Sequence, residues 1–186
     1  TLADFGALID VEISALQHEV LSSTYQPKAL LSVNLPRAGK RPRELGIPSV
    51  RDRVLQTACA QLPTPTLEAA FEDCSFAYRS GRGVRQAVAR IELLRNEGYS
   101  YVVDADIETF FDSIPHQGLL ATLRRHVNDS RFVDLVGEWL RTPILRGDGE
   151  VYSRSMGIAQ GSPLSPLLAN LYLDALDEAI LDENFR

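Results

Sequence analysis

The sequence is poor in cysteine and has no long apolar run, and both shortages exclude classes of protein. Cys59 and Cys74 are its two cysteines, and neither lies in a Cys-x-x-Cys or Cys/His spacing. We therefore expect buried, reduced thiols and neither a metal site nor a disulfide. No apolar stretch approaches the roughly 20 residues that cross a bilayer, and the first residues lack the pattern of a secretion signal. These absences predict a cytoplasmic protein with no membrane partner.

Several common catalytic signatures are also absent from the sequence. It contains no phosphate-binding P-loop, no dinucleotide fingerprint and no Ser-His-Asp arrangement. The histidines are scattered, and His116 follows Pro115 at a predicted helix start, where we expect it to cap or pack. No histidine is therefore assigned chemistry.

The net charge of -6 argues against a nucleic-acid partner until its distribution is considered. Residues 37–95 hold eleven Arg or Lys against six Asp or Glu, whereas the rest of the chain holds eight against nineteen. The planar fork of arginine suits phosphate oxygens, and the acidic remainder suits helix surfaces or divalent-metal ligation. A merely solvated surface would give the same pattern, so charge alone leaves both interpretations open.

Apolar periodicity and turn signals predict an α+β fold without internal repeats or flexible linkers. Helices are predicted over roughly residues 1–20, 50–62, 63–71, 83–96 and 162–181, with two more between residues 115 and 140. Strands are predicted at residues 29–36, 43–48, 101–107 and 151–155, and the first two form a hairpin.

Acidic residues follow the β-branched run of the third predicted strand. Asp104 and Asp106 lie two positions apart, so on a strand their carboxylates would point to the same side and could hold Mg²⁺. A solvated turn or a helix cap would use the same residue types. The spacing alone therefore leaves a metal site and a surface turn open.

The stretch from Gly157 to Asp174 narrows the function most sharply. Its glycine-rich turn lets the backbone approach a ligand, Gln160 offers an amide at the tip, and Ser162 with Pro163 can cap and start a helix. This stretch strongly resembles the fourth conserved block of prokaryotic reverse transcriptases of the group II intron type. Further stretches similar to that family follow its order, at residues 35–48, 52–56, 75–82 and 106–112.

The resemblance implies a right-hand polymerase fold, with the hairpin and helices of the fingers joined to the start of an antiparallel palm sheet. Residues 1–98 would form the N-terminal helix and fingers, and residues 99–186 a partial palm. In this family an x-Ala-Asp-Asp block supplies the other catalytic carboxylates, and these 186 residues do not contain it. We therefore expect the chain to be part of a longer protein and to be inactive alone.

The resemblance also implies roles for individual residues. Asp106 would be catalytic and would ligate two Mg²⁺ ions together with the carbonyl of Ile107. Phe111 would act as the steric gate that favours deoxynucleotides. The other implied nucleotide-binding residues are Arg37, Arg43, Gln160 and Gly161, and the implied template-binding residues are Lys40, Arg41, Arg53, Arg79 and Arg82.

The function that follows from this resemblance is RNA-directed DNA synthesis by two-metal nucleotidyl transfer. The implied partners are an RNA template, a DNA primer or cDNA, and deoxynucleoside triphosphates. Residues 103–107, 114–116 and 176–180 are most similar to CRISPR-associated reverse transcriptases, which are often fused to the CRISPR integrase. Spacer acquisition with integrase proteins is therefore the expected setting. Group II intron mobility and a non-catalytic nucleic-acid-binding scaffold are the alternatives.

Overall fold

The computed structural model describes residues 2–183, in which helices surround a small mixed sheet. The helices are α1 (Leu2–Ala7), α2 (Ile9–Leu21), α3 (Val50–Gln61), α4 (Thr64–Ala70), α5 (Val84–Asn96), α6 (Phe110–Ser113), α7 (His116–His126), α8 (Ser130–Arg141) and α9 (Ser165–Asp182). The strands are β1 (Leu30–Arg37), β2 (Lys40–Ile47), β3 (Ile144–Leu145) and β4 (Val151–Tyr152). This arrangement confirms the predicted α+β class.

The sheet is built on the predicted hairpin, and its strand order is β2-β1-β3-β4. β1 and β2 pair antiparallel, with Leu31 opposite Ile47, and Gly39 takes a φ of +67° in the connecting turn. β3 runs parallel to β1 and antiparallel to β4. The strand predicted at residues 151–155 is thus only two residues long, and the sequence did not predict its partner β3.

One apolar core connects the two halves of the described residues. Its fully buried side chains include Leu67 on α4, Leu119 on α7, Val136 on α8 and Leu171 on α9. The pairing of β1 with β3 also crosses from the first half to the second. The functional division into residues 1–98 and 99–186 stays a prediction, and packing is continuous across it.

A buried hydrogen-bond network anchors α3 to α8. The hydroxyl of Tyr25 donates to Asp52 over 2.6 Å and accepts from the indole of Trp139 over 3.1 Å. Burial, and the bond to Asp52, raise the pKa of Tyr25 well above its usual range, so the phenol stays protonated. The network fixes α3, whose Gln56 accepts a 3.0 Å hydrogen bond from Ser162 and so connects α3 to the segment that precedes α9.

The buried strand predicted at residues 101–107 is not found. The segment has no regular secondary structure, and Tyr101, Val102 and Val103 are 94%, 86% and 80% exposed. A strand requires a neighbouring strand for its backbone hydrogen bonds, and no described residue pairs with this segment. The argument that Asp104 and Asp106 share one face of a strand therefore does not apply to this structure.

Other sequence-based boundaries also change. The first predicted helix breaks at Leu8 into α1 and α2, and most of its apolar side chains are exposed, with Leu16 buried. α9 begins at Ser165, because Ser162 belongs to the preceding turn and accepts a 3.2 Å bond from the backbone N–H of Leu164.

The two thiols differ in their surroundings. Cys59 is buried, and desolvation raises the pKa of its thiol to about 11. Cys74 is exposed, so the expectation that both thiols are buried is wrong for this residue. Among residues 2–183, no helix has the length and apolar character needed to span a bilayer.

Candidate active site

A cavity of about 910 Å³ opens between the β1–β2 hairpin, the residues before α6 and the residues after β4. It brings together six residues that the sequence singled out. These are Arg37, Arg43, Asp106, Ile107, Phe111 and Gln160. Residues from three separate stretches of the sequence therefore line one concave surface, which we call the site cavity.

The turn at residues 157–161, the Gln160 turn, is held by backbone contacts. Its first two N–H groups donate 2.7 Å hydrogen bonds, Gly157 to the carbonyl of Ile114 and Ile158 to that of Phe111. Gly157 has a φ of +86°, and a Cβ there would lie 2.8 Å from the carbonyl oxygen of Asp112. Only glycine fits this close approach without a shift of the backbone.

The amide of Gln160 connects the hairpin to α6. Its oxygen accepts a hydrogen bond from the guanidinium of Arg43, and its nitrogen donates to Asp112 over 3.0 Å. Both partners line the site cavity. Asp112 therefore helps to position the amide.

Gly161 brings the Gln160 turn against strand β2. Its φ is +134°, and an added Cβ would lie 3.1 Å from the carbonyl oxygen of Gly46. Ser165 donates a 2.7 Å hydrogen bond to the carbonyl of Ala159, which ties the same turn to the start of α9. The turn is thus fixed on both sides of Gln160.

Phe111 lies at the edge of the site cavity and also contacts the core. Its ring makes an edge-to-face contact with Phe110, with centroids 6.0 Å apart. It is half-buried and packs against the main apolar cluster. The side chain therefore presents a packed aromatic ring to the cavity.

Asp106 and Ile107 lie in the exposed stretch of residues 99–109, which we call the Asp106 segment. Neither side chain has a hydrogen bond or ion pair with any described residue, although both line the site cavity. Thr109 closes the segment with a left-handed φ of 49°, just before α6. The segment therefore presents a free carboxylate to the cavity without packing to hold it.

The residues predicted to bind template do not form one group. Arg53 is half-buried on α3 and makes no side-chain hydrogen bond with the described residues. Arg82 donates to the carboxylate and the carbonyl of Asp73, each over 2.7 Å. The side chains of Lys40 and Arg41 lie outside the described part of the structure.

Arg79 corrects one template assignment. Its side chain is buried, donates to the carboxylate of Glu68 over 2.9 Å and to the carbonyl of Glu72 over 2.6 Å, and lies 5.3 Å from the ring centre of Phe71. Further bonds reach the carbonyls of Glu68 and Ser75. These contacts use four of its five donors, so Arg79 holds the segment after α4, and a role in template binding would require it to give up buried contacts.

Sequence comparison identifies the family behind this geometry. Residues 35–185 match the model of the reverse transcriptase (RNA-dependent DNA polymerase) family. This chain belongs to the reverse transcriptase family. The model spans more than half of the chain and includes every residue placed in the site cavity above.

Individual reverse transcriptase relatives support the predicted subgroup. Protein YkfC of Escherichia coli K12 is 32% identical over 176 residues, covering 92% of this chain and 46% of YkfC. The group II intron-encoded protein LtrA of Lactococcus lactis subsp. cremoris is 29% identical over 171 residues, covering 91% of this chain and 28% of LtrA. The chain thus spans less than half of the length of these relatives.

A solved structure shares the fold. A chain of a partial Cas6-RT-Cas1–Cas2 complex superposes with a TM-score of 0.60 and 30% identity, covering 93% of this chain and 30% of that chain. This similarity confirms the α+β fingers and partial palm. Together, the comparisons confirm a group II intron-like reverse transcriptase that resembles CRISPR-associated ones.

Reverse transcriptases generally use divalent metal ions, and the site cavity contains oxygen donors of the type that such ions bind. Asp106 and the carbonyl of Ile107 offer hard oxygen ligands of the type that Mg²⁺ prefers. Within residues 2–183, however, no cluster of three or more Asp, Glu, His or Cys side chains could hold an ion. The donor set therefore fits a share of one coordination shell and does not fit a complete two-ion centre.

One residue that lines the site cavity was not indicated by any sequence motif. Arg154 follows β4 and lines the site cavity beside Tyr152. Nothing in the sequence separates it from other arginines, because its importance comes from burial and from the absence of partners. Both properties depend on the tertiary structure.

Proposed function

We propose that the longer protein containing this chain is an RNA-directed DNA polymerase that copies RNA into complementary DNA. It would extend a DNA primer with deoxynucleoside triphosphates. The observation that supports this most strongly is the convergence of Arg43, Asp106, Phe111 and Gln160 on the site cavity. In a member of the reverse transcriptase family, this convergence supplies a charged, shaped surface for a nucleotide.

In this proposal Asp106 is the catalytic carboxylate and, with the Ile107 carbonyl, contributes ligands for Mg²⁺. Two bound ions would supply Lewis-acid chemistry at the attacking and leaving oxygens. The remaining ligands would have to come from outside the described residues, so we assign no step through the ions. The chain's own contribution is to orient the nucleotide and to hold its charge.

The other residues have complementary roles in the proposal. Arg37 and Arg43 would bind the triphosphate, because guanidinium groups match phosphate oxygens in geometry and charge. Gln160 and Gly161 would meet the sugar and base of the new pair. Phe111 would leave no space for a 2′-hydroxyl.

Template contacts in the proposal come from the hairpin turn and α3. Lys40, Arg41 and Arg53 would bind the phosphate backbone, which sets affinity and register without reading sequence. Arg82 would join them only by exchanging its contacts with Asp73, and Arg79 is omitted because of its buried contacts.

The biological setting is a second part of the proposal. We infer that the protein takes part in CRISPR spacer acquisition with integrase proteins, with support from its similarity to a chain of the partial Cas6-RT-Cas1–Cas2 complex. A cytoplasmic location belongs to the same inference. Group II intron mobility is the alternative, supported by the similarity to LtrA. An integrase domain on the same polypeptide would favour the first setting, and a maturase region after the palm would favour the second.

Primer extension by the full-length protein tests the activity. With an RNA template, a DNA primer, deoxynucleotides and Mg²⁺, we expect DNA products that disappear when the metal is chelated. A parallel reaction with ribonucleotides should give little product because of Phe111. If the protein binds the template but extends no primer, the polymerase proposal fails and a non-catalytic scaffold replaces it.

A further inference from the structure

The side chain of Arg154 lines the site cavity with part of its charge buried and unpaired. Its Nε and Nη2 atoms are shielded from solvent, and neither has a hydrogen-bond partner among the described residues. The third guanidinium nitrogen, Nη1, is not among the shielded atoms. A cation in this condition is costly, because burial removes water without a compensating partner.

The nearby carboxylates are engaged elsewhere. Asp112 accepts from Gln160 over 3.0 Å, and Glu44 accepts from Ser32 over 2.6 Å and from Arg146 over 3.4 Å. Both carboxylates act on Arg154 through space only, without a hydrogen bond. The protein therefore supplies a negative field to Arg154 but no acceptor for its shielded donors.

Two other arginines line the same cavity. Arg37 and Arg43 line the same cavity from the hairpin, and the charges of Arg154 and Arg141 act on the nearby His116. Burial lowers the pKa of Arg154 from its usual value, which is the direction expected of an uncompensated cation. Arg37, Arg43 and Arg154 thus line the cavity together with three carboxylates, and Arg154 is the arginine with shielded donors that have no partner among the described residues.

We propose that Arg154 is a further phosphate-binding residue of this site, whose guanidinium bonds a phosphate oxygen of the nucleotide or nucleic acid in the cavity. This inference rests on the proposed polymerase function and extends it to a residue outside the predicted motifs. The phosphate belongs either to the triphosphate of the incoming nucleotide or to the backbone of the template–primer duplex. Binding would rotate the guanidinium out of its unpaired position, which gives the ligand a partner and relieves the buried charge.

The test uses the full-length protein and compares Arg154→Gln with Arg154→Lys. Single-nucleotide incorporation gives the KM for the deoxynucleotide, and fluorescence anisotropy gives the Kd for an RNA–DNA template–primer. Loss of a charge-assisted hydrogen bond should raise the affected constant about tenfold or more in Arg154→Gln. The Arg154→Lys variant should recover part of this loss, because it keeps the charge. Arg125→Gln, on the exposed end of α7, is the matched control and should change neither constant.

The constant that changes identifies the source of the phosphate. A raised KM with an unchanged Kd assigns Arg154 to the triphosphate, and a raised Kd assigns it to the nucleic-acid backbone. If both constants stay within about twofold of wild type in folded Arg154→Gln, the proposal is overturned. Equal loss of thermal stability in both variants without a change in either constant would show a purely structural role.

A binding measurement separates this inference from the proposed activity. Inorganic tripolyphosphate should raise the Tm of the wild-type protein, and the increase should shrink in Arg154→Lys. This result would support the phosphate site even if no primer were extended. If the wild type extends primers but Arg154→Gln changes neither the Tm increase nor the two constants, the polymerase is retained and the role of Arg154 is rejected.

Discussion

Two neighbouring parts of the site cavity are held in very different ways. The Gln160 turn is anchored by backbone bonds to Ile114 and Phe111, and its Ile158 is completely buried. The Asp106 segment has no regular secondary structure, and its apolar residues at positions 101–103 are almost fully exposed. The proposed nucleotide-positioning groups are thus built into the core, whereas the proposed catalytic carboxylate is not.

The contrast bears on the roles proposed for the Gln160 turn and the Asp106 segment. Preorganised groups cost little to bring together when a ligand binds, so in the proposed function Gln160 and Gly161 would orient a nucleotide without a further rearrangement of the turn. A carboxylate on an unpacked segment has to be ordered by its ligands or by further parts of the protein. The described residues therefore combine an anchored Gln160 turn with an unpacked segment that carries Asp106.

Truncating one isoleucine in each part should show this contrast most strongly. Ile158→Ala removes a fully buried side chain and should lower the free energy of unfolding by roughly 2–5 kcal/mol. Ile107→Ala alters a side chain that is 46% exposed and should change it by about 0.5 kcal/mol or less. Urea denaturation of both variants measures the difference. Similar losses would show that the Asp106 segment is packed in solution.

Two glycines of similar φ allow the stability cost of backbone conformation to be measured apart from the cost of close packing. Gly157 and Gly149 have φ values of +86° and +89°, but only a Cβ at Gly157 meets the backbone of Asp112. An alanine costs roughly 1–2 kcal/mol at either position for its left-handed backbone. Gly157→Ala should lose roughly 1–3 kcal/mol more, because the turn must move away from α6. Equal losses in urea denaturation would contradict the close contact at Gly157.

A smaller, pH-dependent effect should be confined to the anchored part. His116 is buried and donates from Nε2 to the carbonyl of Gly157 over 2.8 Å. Burial lowers its pKa, and the charges of Arg154 and Arg141 act in the same direction, against the hydrogen bond to Gly157. Below about pH 6.5 the unfolded chain takes up a proton that the folded chain resists. Stability should therefore fall as pH drops through this range, by less than about 1.4 kcal/mol per pH unit.

Thermal unfolding at pH 7.5 and pH 5.5 checks this dependence. His116→Gln keeps a donor for the Gly157 carbonyl but removes the titrating ring, so it should flatten the profile. The control His18→Gln changes an exposed histidine on α2 and should leave the slope intact. If His18→Gln flattened the pH profile of stability and His116→Gln did not, the account of His116 would be contradicted.

The sequence predicted the parts that depend on local pattern. Turn residues and alternation located the hairpin, and the order of motifs located the residues that meet in the cavity. The β-branched run at residues 101–103 failed as a strand, because strand propensity forms a strand only beside a pairing partner. The sequence alone could not distinguish the roles of Arg79 and Arg154. Only in the folded structure does Arg79 have hydrogen-bond partners, while two donors of Arg154 have none among the described residues.

Primer extension with neighbouring carboxylate variants tests the central claim most directly. Asp104 and Asp106 lie in the same exposed segment, but only Asp106 lines the site cavity. In the full-length protein on an RNA template with Mg²⁺, we predict that Asp106→Asn abolishes DNA synthesis and that Asp104→Asn largely retains it. Wild-type levels of synthesis by Asp106→Asn would contradict the assignment of this reverse transcriptase site.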